Sequence, residues 1–242
     1  MRTAFISDVH GNLEALTAVL AEISTCRVDV VHSLGDVIGY GANPRECLGL
    51  VASHCEIKIM GNHESAVLGV QSLEYYNPAA KAATEWTRQM LSSQDLEFIA
   101  QFKLEHVQND VHLVHGSPFE PEQWRYVLHT GEAMRAFENQ KGKLCFCGHS
   151  HIPTIIVEMA SGGPRSRTAH DFEPDPDARY LINVGSVGQP RDNDPRACYV
   201  IFDHTEYCIE YHRVDYDIEQ AQQKMKLAQL PDVLAKRLAA GV

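Results

Sequence analysis

A chain of 242 residues is long enough for one large domain, or one domain with a small appendage, and it can bury most of its apolar side chains without disulfide support. Its 32 acidic residues against 21 basic ones give a formal charge of -11. That balance argues against a general nucleic-acid or anionic-membrane surface, because phosphate backbones are bound by clustered Lys and Arg. A small phosphorylated substrate would have to be met by something local. The seven cysteines are scattered, and Cys55, Cys145, Cys147, Cys198 and Cys208 sit in or beside apolar runs, where a reduced thiol behaves as a small hydrophobe. With no apolar leader before RTAFIS and no run long enough to span a bilayer, the expected location is cytoplasmic. Oligomeric state is left open.

In chain order, the first half alternates strand and helix signals. TAFIS reads as a short strand, and Asn12 as the cap of a helix with Leu13, Leu16, Leu20 and Ile23 on one face. VDVVHSL, a helix led by Pro44, EIKIM and a further short helix repeat the rhythm, which predicts a largely parallel sheet with right-handed crossovers. About residues 65–102 form a helical insertion: Asn77 caps one helix with Pro78 in its first turn, and Ser92 starts another with Asp95 at the capping-box position and Leu91 and Leu96 as a staple. The second half is richer in strands: DVHLVHG, KLCFCG, IPTIIVEM, RYLINVG, ACYVIFD and EYCIEYHRV. The last two read as a hairpin, so antiparallel pairing is expected there. SGGPRSRTAHDFEPDPDA, dense in Gly, Pro and Asp, reads as a plain loop, with a lid as the other reading. A helical tail over about 216–242 is broken at Pro231. No linker divides residues 1–242, so one domain is expected.

Chemistry-bearing residues gather where these strands end. Asp8 and His10 follow TAFIS, Asp36 follows VVHSL, Asn62 and His63 follow EIKIM, His115 follows DVHLV, and His149 and His151 follow KLCFC. On an extended backbone alternate side chains leave one face, so the last two imidazoles can reach one small volume. Strand ends of an open α/β sheet share an edge, which brings the five motifs to one crevice. Each alone has an ordinary reading as a cap, a turn residue or a satisfied core histidine; together they form a mixed N/O ligand set suited to divalent manganese, iron, zinc or cobalt. Asp8, His10, Asp36, Asn62, His115, His149 and His151 are too many for one tetrahedral ion and suit two ions with a bridging carboxylate. Cys145-x-Cys147 lacks the usual zinc-finger spacing and lies within a strand. The other histidines, including His32, His112 and His212, carry no comparable constellation.

SDVHGN, GDVIGYG, GNHE, HGSP and GHSH in this order resemble the calcineurin-like metallophosphoesterase family over nearly the whole chain. NVGSVGQPRD at 183–192 further resembles its small prokaryotic phosphodiesterase branch, which is diadenosine tetraphosphatase-like. The resemblance implies an α/β (α+β) sandwich of two mixed β-sheets flanked by helices, with two divalent transition-metal ions, Mn, Fe or Zn. It implies that Asp8, His10 and His151 hold one ion and Asn62, His115 and His149 the other, that Asp36 bridges, and that Asn62 also meets substrate. A metal-bridging hydroxide would attack phosphorus, with His63 as proton donor or stabiliser of the leaving oxygen. Where related phosphatases and symmetric diadenosine tetraphosphate hydrolases place an arginine, this chain has Tyr40. Arg191 is a substitute for that phosphate-gripping charge, unless Asp192 and Asp194 tie it down. The expected activity is hydrolysis of phosphodiester or nucleotide-type substrates. The alternatives are a phosphomonoester phosphatase and a non-catalytic scaffold, the latter disfavoured by the complete ligand set.

Overall fold

The computed structural model describes residues 1–74, 76–159 and 162–242. Alternating side chains explain how the opening strand, β1 (Arg2–Ile6), serves two layers at once. Ala4 and Ile6 face the helices, while Phe5 faces the opposite way into a second core. Asn12 then caps α1 (Leu13–Thr25), its side chain accepting from the Ala15 amide at 3.1 Å, and Leu16, Val19 and Ile23 turn inward. There follow β2 (Val30–Ser33), α2 (Pro44–His54), β3 (Cys55–Lys58), α3 (Asn62–Val67), α4 (Pro78–Met90) and α5 (Ser93–Ile99). Asn77 caps α4, and Ser92 and Asp95 close a reciprocal capping box at α5, satisfying amides that the first helical turn would otherwise leave open.

The second half runs β4 (Glu105–Gln108), β5 (Val111–Val114), α6 (Thr130–Asn139), β6 (Leu144–Cys147), β7 (Thr154–Glu158), β8 (Arg165–Thr168), β9 (Arg179–Asn183), β10 (Ala197–Asp203), β11 (Cys208–Val214), α7 (Ile218–Leu227) and α8 (Asp232–Ala240). One sheet has the order β11-β10-β1-β2-β3 and the other β4-β5-β6-β9-β7-β8. The β1-β2-β3 and β5-β6-β9 pairings are parallel, and the β10-β11 hairpin and outer strands are antiparallel. Both sheets are therefore mixed and flanked by helices, as the resemblance implies. Phe5, Leu34, Leu113, Phe146, Ile182, Val200 and Phe202 fill the space between the sheets. Helices α7 and α8 pack Met225, Leu234 and Leu238 against Ala80, Ala83 and Tyr40.

Three elements differ from the sequence expectation. The Gly/Pro/Asp-rich segment is not a plain loop: β8 pairs with β7 as an exposed edge strand, and Phe172 bridges to Ile209. RSRT is solvent-facing on both sides, so it lacks the apolar alternation that would reveal a strand. Ser161, where that segment begins, lies outside the described residues. Strand β4 and helix α6 were also hidden, the first being largely polar and the second having only a narrow face of Ala133, Ala136 and Phe137. Cys145 and Cys147 lie buried in β6 on the side of α6, and burial pushes the Cys147 thiol up to about 12. Among the described residues no helix is long and apolar enough to cross a membrane.

Phe5 of one sheet stacks on Phe146 of the other with centroids 4.0 Å apart, both nearly inaccessible. Phe5→Ala should lower the unfolding free energy by about 3–5 kcal/mol, since truncating a buried aromatic leaves a cavity at the seam. Chemical denaturation should show this as a lower midpoint with an unchanged slope. A loss below about 1 kcal/mol would mean that the sheets are not held together at this contact.

Candidate metal centre

The site forms where β1, β2 and β3 of one sheet and β5 and β6 of the other come to an end. Its loops are turned sharply. Asp8, His10, Asp36, His149 and His151 all have positive φ, from 51° to 66°, a region non-glycine residues enter at a cost of about 1–2 kcal/mol each. The extended-backbone expectation for His149 and His151 is thus corrected: tight left-handed turns, rather than strand alternation, aim the two rings. Backbone bonds hold the turns, Asp8 N–H donating to Gly35 O at 3.0 Å, His10 N–H to Asp36 O at 2.9 Å and Gly148 N–H to His115 O at 2.8 Å. Two close approaches require the absence of a side chain. A Cβ on Gly61 would sit 2.1 Å from Asp36 Oδ1, and one on Gly39 would sit 2.3 Å from His63 Nδ1.

Each carboxylate spends one oxygen on a backbone amide and turns the other to the imidazoles. Asp8 Oδ2 accepts from His149 N–H and Asp36 Oδ1 from His63 N–H, both at 2.9 Å. That leaves Asp8 Oδ1 buried without a partner, 3.3 Å from His151 Nε2. Asp36 Oδ2 lies 3.2 Å from His115 Nε2 and 3.7 Å from His10 Nε2. The rings are oriented from behind: His10 Nδ1 donates to Ile38 O at 3.1 Å, His151 Nδ1 to Gln189 O at 2.6 Å and His115 Nδ1 to Leu34 O at 2.8 Å. A carbonyl only accepts, so each ring keeps its proton on Nδ1 and turns Nε2 to the centre, as a lone pair on His10 and His151 and, on His115, as an N–H facing Asp36 Oδ2 that a bound cation would displace.

Electrostatics sharpen the point. Burial lowers the His10 and His151 pKa values, so both rings are neutral. Their Nε2 atoms nevertheless face each other at 3.1 Å, which is two lone pairs in contact. Two nitrogens sharing one cation at about 2.0–2.1 Å adopt such a spacing. Burial also drives His149 down to about 3, with His115 adding to it, and its Nδ1 faces His115 Nε2 at 3.2 Å. Burial alone would lower His115, but Asp36 overrides it and pushes the ring up to about 9. Against burial, His151 and His115 hold Asp8 below the usual carboxylate range, and His115 and His63 hold Asp36 well below it. The donor set therefore fits divalent cations. Asp8, His10 and His151 form one buried group that could hold an ion, Asp36, His115 and His149 a second, and His10, Asp36 and His63 a third that overlaps both.

Asn62 adds an oxygen. Its Nδ2 donates to Tyr76 Oη at 3.0 Å, and its Oδ1 is buried without a partner. His63 is also buried, its pKa lowered by burial, with Nδ1 unpartnered over Gly39 and the ring edge-on to Tyr40 at 4.5 Å. Arg191 is not held by its acidic neighbours: Asp192 pairs with Arg213, and Asp194 with Arg196 at 2.7 Å. Arg191 instead donates to Gln189 Oε1 at 2.9 Å, lies 5.9 Å over the Tyr40 ring, and keeps a buried Nε without a partner.

Several residues were not singled out from sequence. Glu64 is fully buried and accepts from four backbone amides, those of Asp36 and Gly61 on Oε2 and of Val37 and Ile38 on Oε1, at 2.7–3.2 Å. Burial and the Asp36 charge push its carboxyl up to about 7. It reaches back to the N-cap amide of Gly61 as the Glu of a capping box does, but a glycine cap has no side chain and gives no such signal in the sequence. Tyr126, which stacks on His149 at 4.0 Å, and Tyr76 lie in segments without a pattern. Away from the centre, Glu22, Cys26 and His212 also come together, with Tyr199 Oη donating to Glu22 Oε1 at 3.1 Å; this grouping spans positions 22 to 212 and has no sequence spacing to betray it.

Comparison with known proteins agrees with this geometry. The chain is 40% identical over 244 aligned positions to an uncharacterized protein of Methanocaldococcus jannaschii, covering 98% of this chain and 97% of that one. A metallophosphoesterase from Sphaerobacter thermophilus superposes with a TM-score of 0.88 at 40% identity, each chain covered in full. A hypothetical protein from Pyrococcus horikoshii shares the fold at a TM-score of 0.80 and 18% identity, with 100% of this chain and 98% of that one covered. Residues 1–207 match the calcineurin-like phosphoesterase superfamily domain, and the chain belongs to that superfamily.

Proposed function

We propose that this protein is a binuclear metal-dependent phosphoesterase that prefers phosphodiester or nucleotide-type substrates. The observation that carries the reading is the His10 and His151 contact, two neutral imidazoles presenting lone pairs to one point, beside an unpartnered Asp8 oxygen. In this reading Asp8, His10 and His151 hold one ion, Asn62, His115 and His149 the other, and Asp36 lies between them. Bound divalent cations supply an activated water and neutralise charge on the phosphoryl oxygens.

The chain's own residues do the rest. Glu64 ties the Asp36 and Asn62 loops together through four amides. Tyr76 Oη accepts a hydrogen bond from Asn62 Nδ2 and so leaves Oδ1 for a cation. Arg191, with its unspent Nε, grips a phosphate oxygen in place of the arginine absent at Tyr40. With Tyr40 in place of that arginine, the site tolerates the lower charge of a diester. His63, beside Asn62, faces the leaving oxygen.

Fully loaded protein should contain about two transition-metal ions per chain. Elemental analysis should find both lost in Asp36→Ala and mainly one lost in His151→Ala; a single ion at full loading would refute the assignment. Glu64→Gln keeps the shape but sets an NH₂ against two amide donors whichever way it turns. It should weaken metal retention by about 10–100-fold and lower stability by about 1–3 kcal/mol, read by metal competition and thermal melting. Unchanged metal retention would show that Glu64 does not position the ligands.

His63→Gln should cost about 10²–10⁴ in rate on alkyl esters and clearly less on nitrophenyl esters, whose leaving groups need no proton, with metal content intact. Equal losses on both would rule out leaving-group protonation. A matching test of ester class is hydrolysis of an aryl diester with Mn²⁺ at least as fast as its monoester; a strong monoester preference under several metals would replace the diester reading by a phosphomonoesterase.

A further inference from the structure

Beside the metal-ligand candidates lies a cavity of about 260 Å³ reached past His63, Asn62 and His149. Four aromatic rings line it, those of Tyr40, Tyr76, Trp124 and Tyr126, together with the amides of Gln71 and Asn77. No Lys, Arg, Asp or Glu is among the described residues that line it. The volume is just below the ~300 Å³ at which pockets for drug-sized ligands begin. It has room for a planar ring system.

The walls are set in advance. Trp124 donates its indole N–H to Met60 O at 3.2 Å and is 7% exposed. Tyr76 is held through Asn62. Tyr126 lies flat on His149 with an interplanar angle of 19°, yet remains 45% exposed, so one of its faces is covered and the other is available. Gln71 accepts from Tyr76 on Oε1 at 3.2 Å, and Asn77 accepts from Ala80 N–H on Oδ1 at 2.9 Å. Each is left with its NH₂ as a donor for a ligand. Aromatic faces stack on planar rings of any kind, and fixed amide donors select rings with acceptors on their edge. A polyphosphate chain would need cations that this lining lacks.

We propose that this cavity seats the base of a nucleotide ester, a planar uncharged ring with a hydrogen-bonding edge, so that its phosphate lies among His149, Asn62 and His63. This rests on the phosphoesterase reading above and names its substrate class. The cavity places a base next to the phosphate, and a lining without Lys or Arg favours a mononucleotide diester over a polyphosphate chain.

The test uses the Mn²⁺-loaded protein and two diesters that differ only in the base, methyl adenosine 5′-phosphate and methyl ribose 5-phosphate, followed by ³¹P NMR. The base-bearing diester should be favoured in kcat/KM by roughly 5–150-fold, the equivalent of about 1–3 kcal/mol for one stacked base. Tyr126→Leu should remove most of that preference, raising KM for the base-bearing diester well beyond any change on the ribose diester, with metal content measured alongside because Tyr126 covers His149. Binding is read separately in a Trp86→Phe background, where Trp124 is the only indole: AMP should quench its emission and ribose 5-phosphate should not. Equal kcat/KM for the two diesters, or equal losses on both in Tyr126→Leu, would overturn the inference and leave the phosphoesterase reading standing. Quenching by AMP that Tyr126→Leu abolishes, with neither diester hydrolysed, would support the base pocket and overturn the diester reading.

Discussion

The Glu64 carboxylate is the fixed point from which the centre is built. It is sealed from solvent, and it receives the amides of Asp36, Val37, Ile38 and Gly61, so the loops that follow β2 and β3 are tied to one pair of oxygens. Asp36 can then sit in a left-handed turn, because the amides that such a turn exposes have an acceptor. His63 N–H reaches Asp36 Oδ1 only because Gly61 carries no side chain. An uncompensated buried carboxylate is expensive, and four amide donors are what make this one tolerable.

Around that point the protein concentrates groups that repel or orphan one another. Two carboxylates, five imidazoles and a carboxamide converge in a region from which water is largely excluded, and several of their acceptors have no hydrogen-bond partner. Five of these residues are held at positive φ. Strain and unsatisfied acceptors of this kind persist only when the surroundings over-determine them. Here the surroundings are the two sheets, locked through Phe5 and Phe146, and the carbonyls of Leu34, Ile38 and Gln189, which fix the ring tautomers.

The helices outside the sheets shape access to the centre. Tyr40 touches His10 and His63 on one side and belongs on the other to the cluster formed by α4, α7 and α8. The C-terminal helices therefore support a ring at the mouth of the site. The same tyrosine stands under Arg191, whose acidic sequence neighbours are engaged with Arg213 and Arg196. Phosphate charge and leaving-group chemistry would thus meet at a surface made from both ends of the chain.

Much of this was written in the sequence, because the features concerned are local. Asn12, Asn77 and Ser92 cap helices where the residue pattern puts them, and Asp8, His10, Asp36, Asn62, His115, His149 and His151 each follow a strand whose end can be read from apolar runs and turn residues. The polar strands β4 and β8 and the narrow face of α6 were silent, since periodicity reports burial and these elements bury little. What only the tertiary structure decided is contact across sequence distance. It set the left-handed aim of His149 and His151, joined Glu64 to the loop around Asp36, freed Arg191 from Asp192 and Asp194, and brought Tyr76, Trp124 and Tyr126 to one wall. A sequence specifies the local choices of backbone and the pattern of burial; which lone pairs end up facing which depends on how two sheets pack face to face, and no spacing along the chain encodes that.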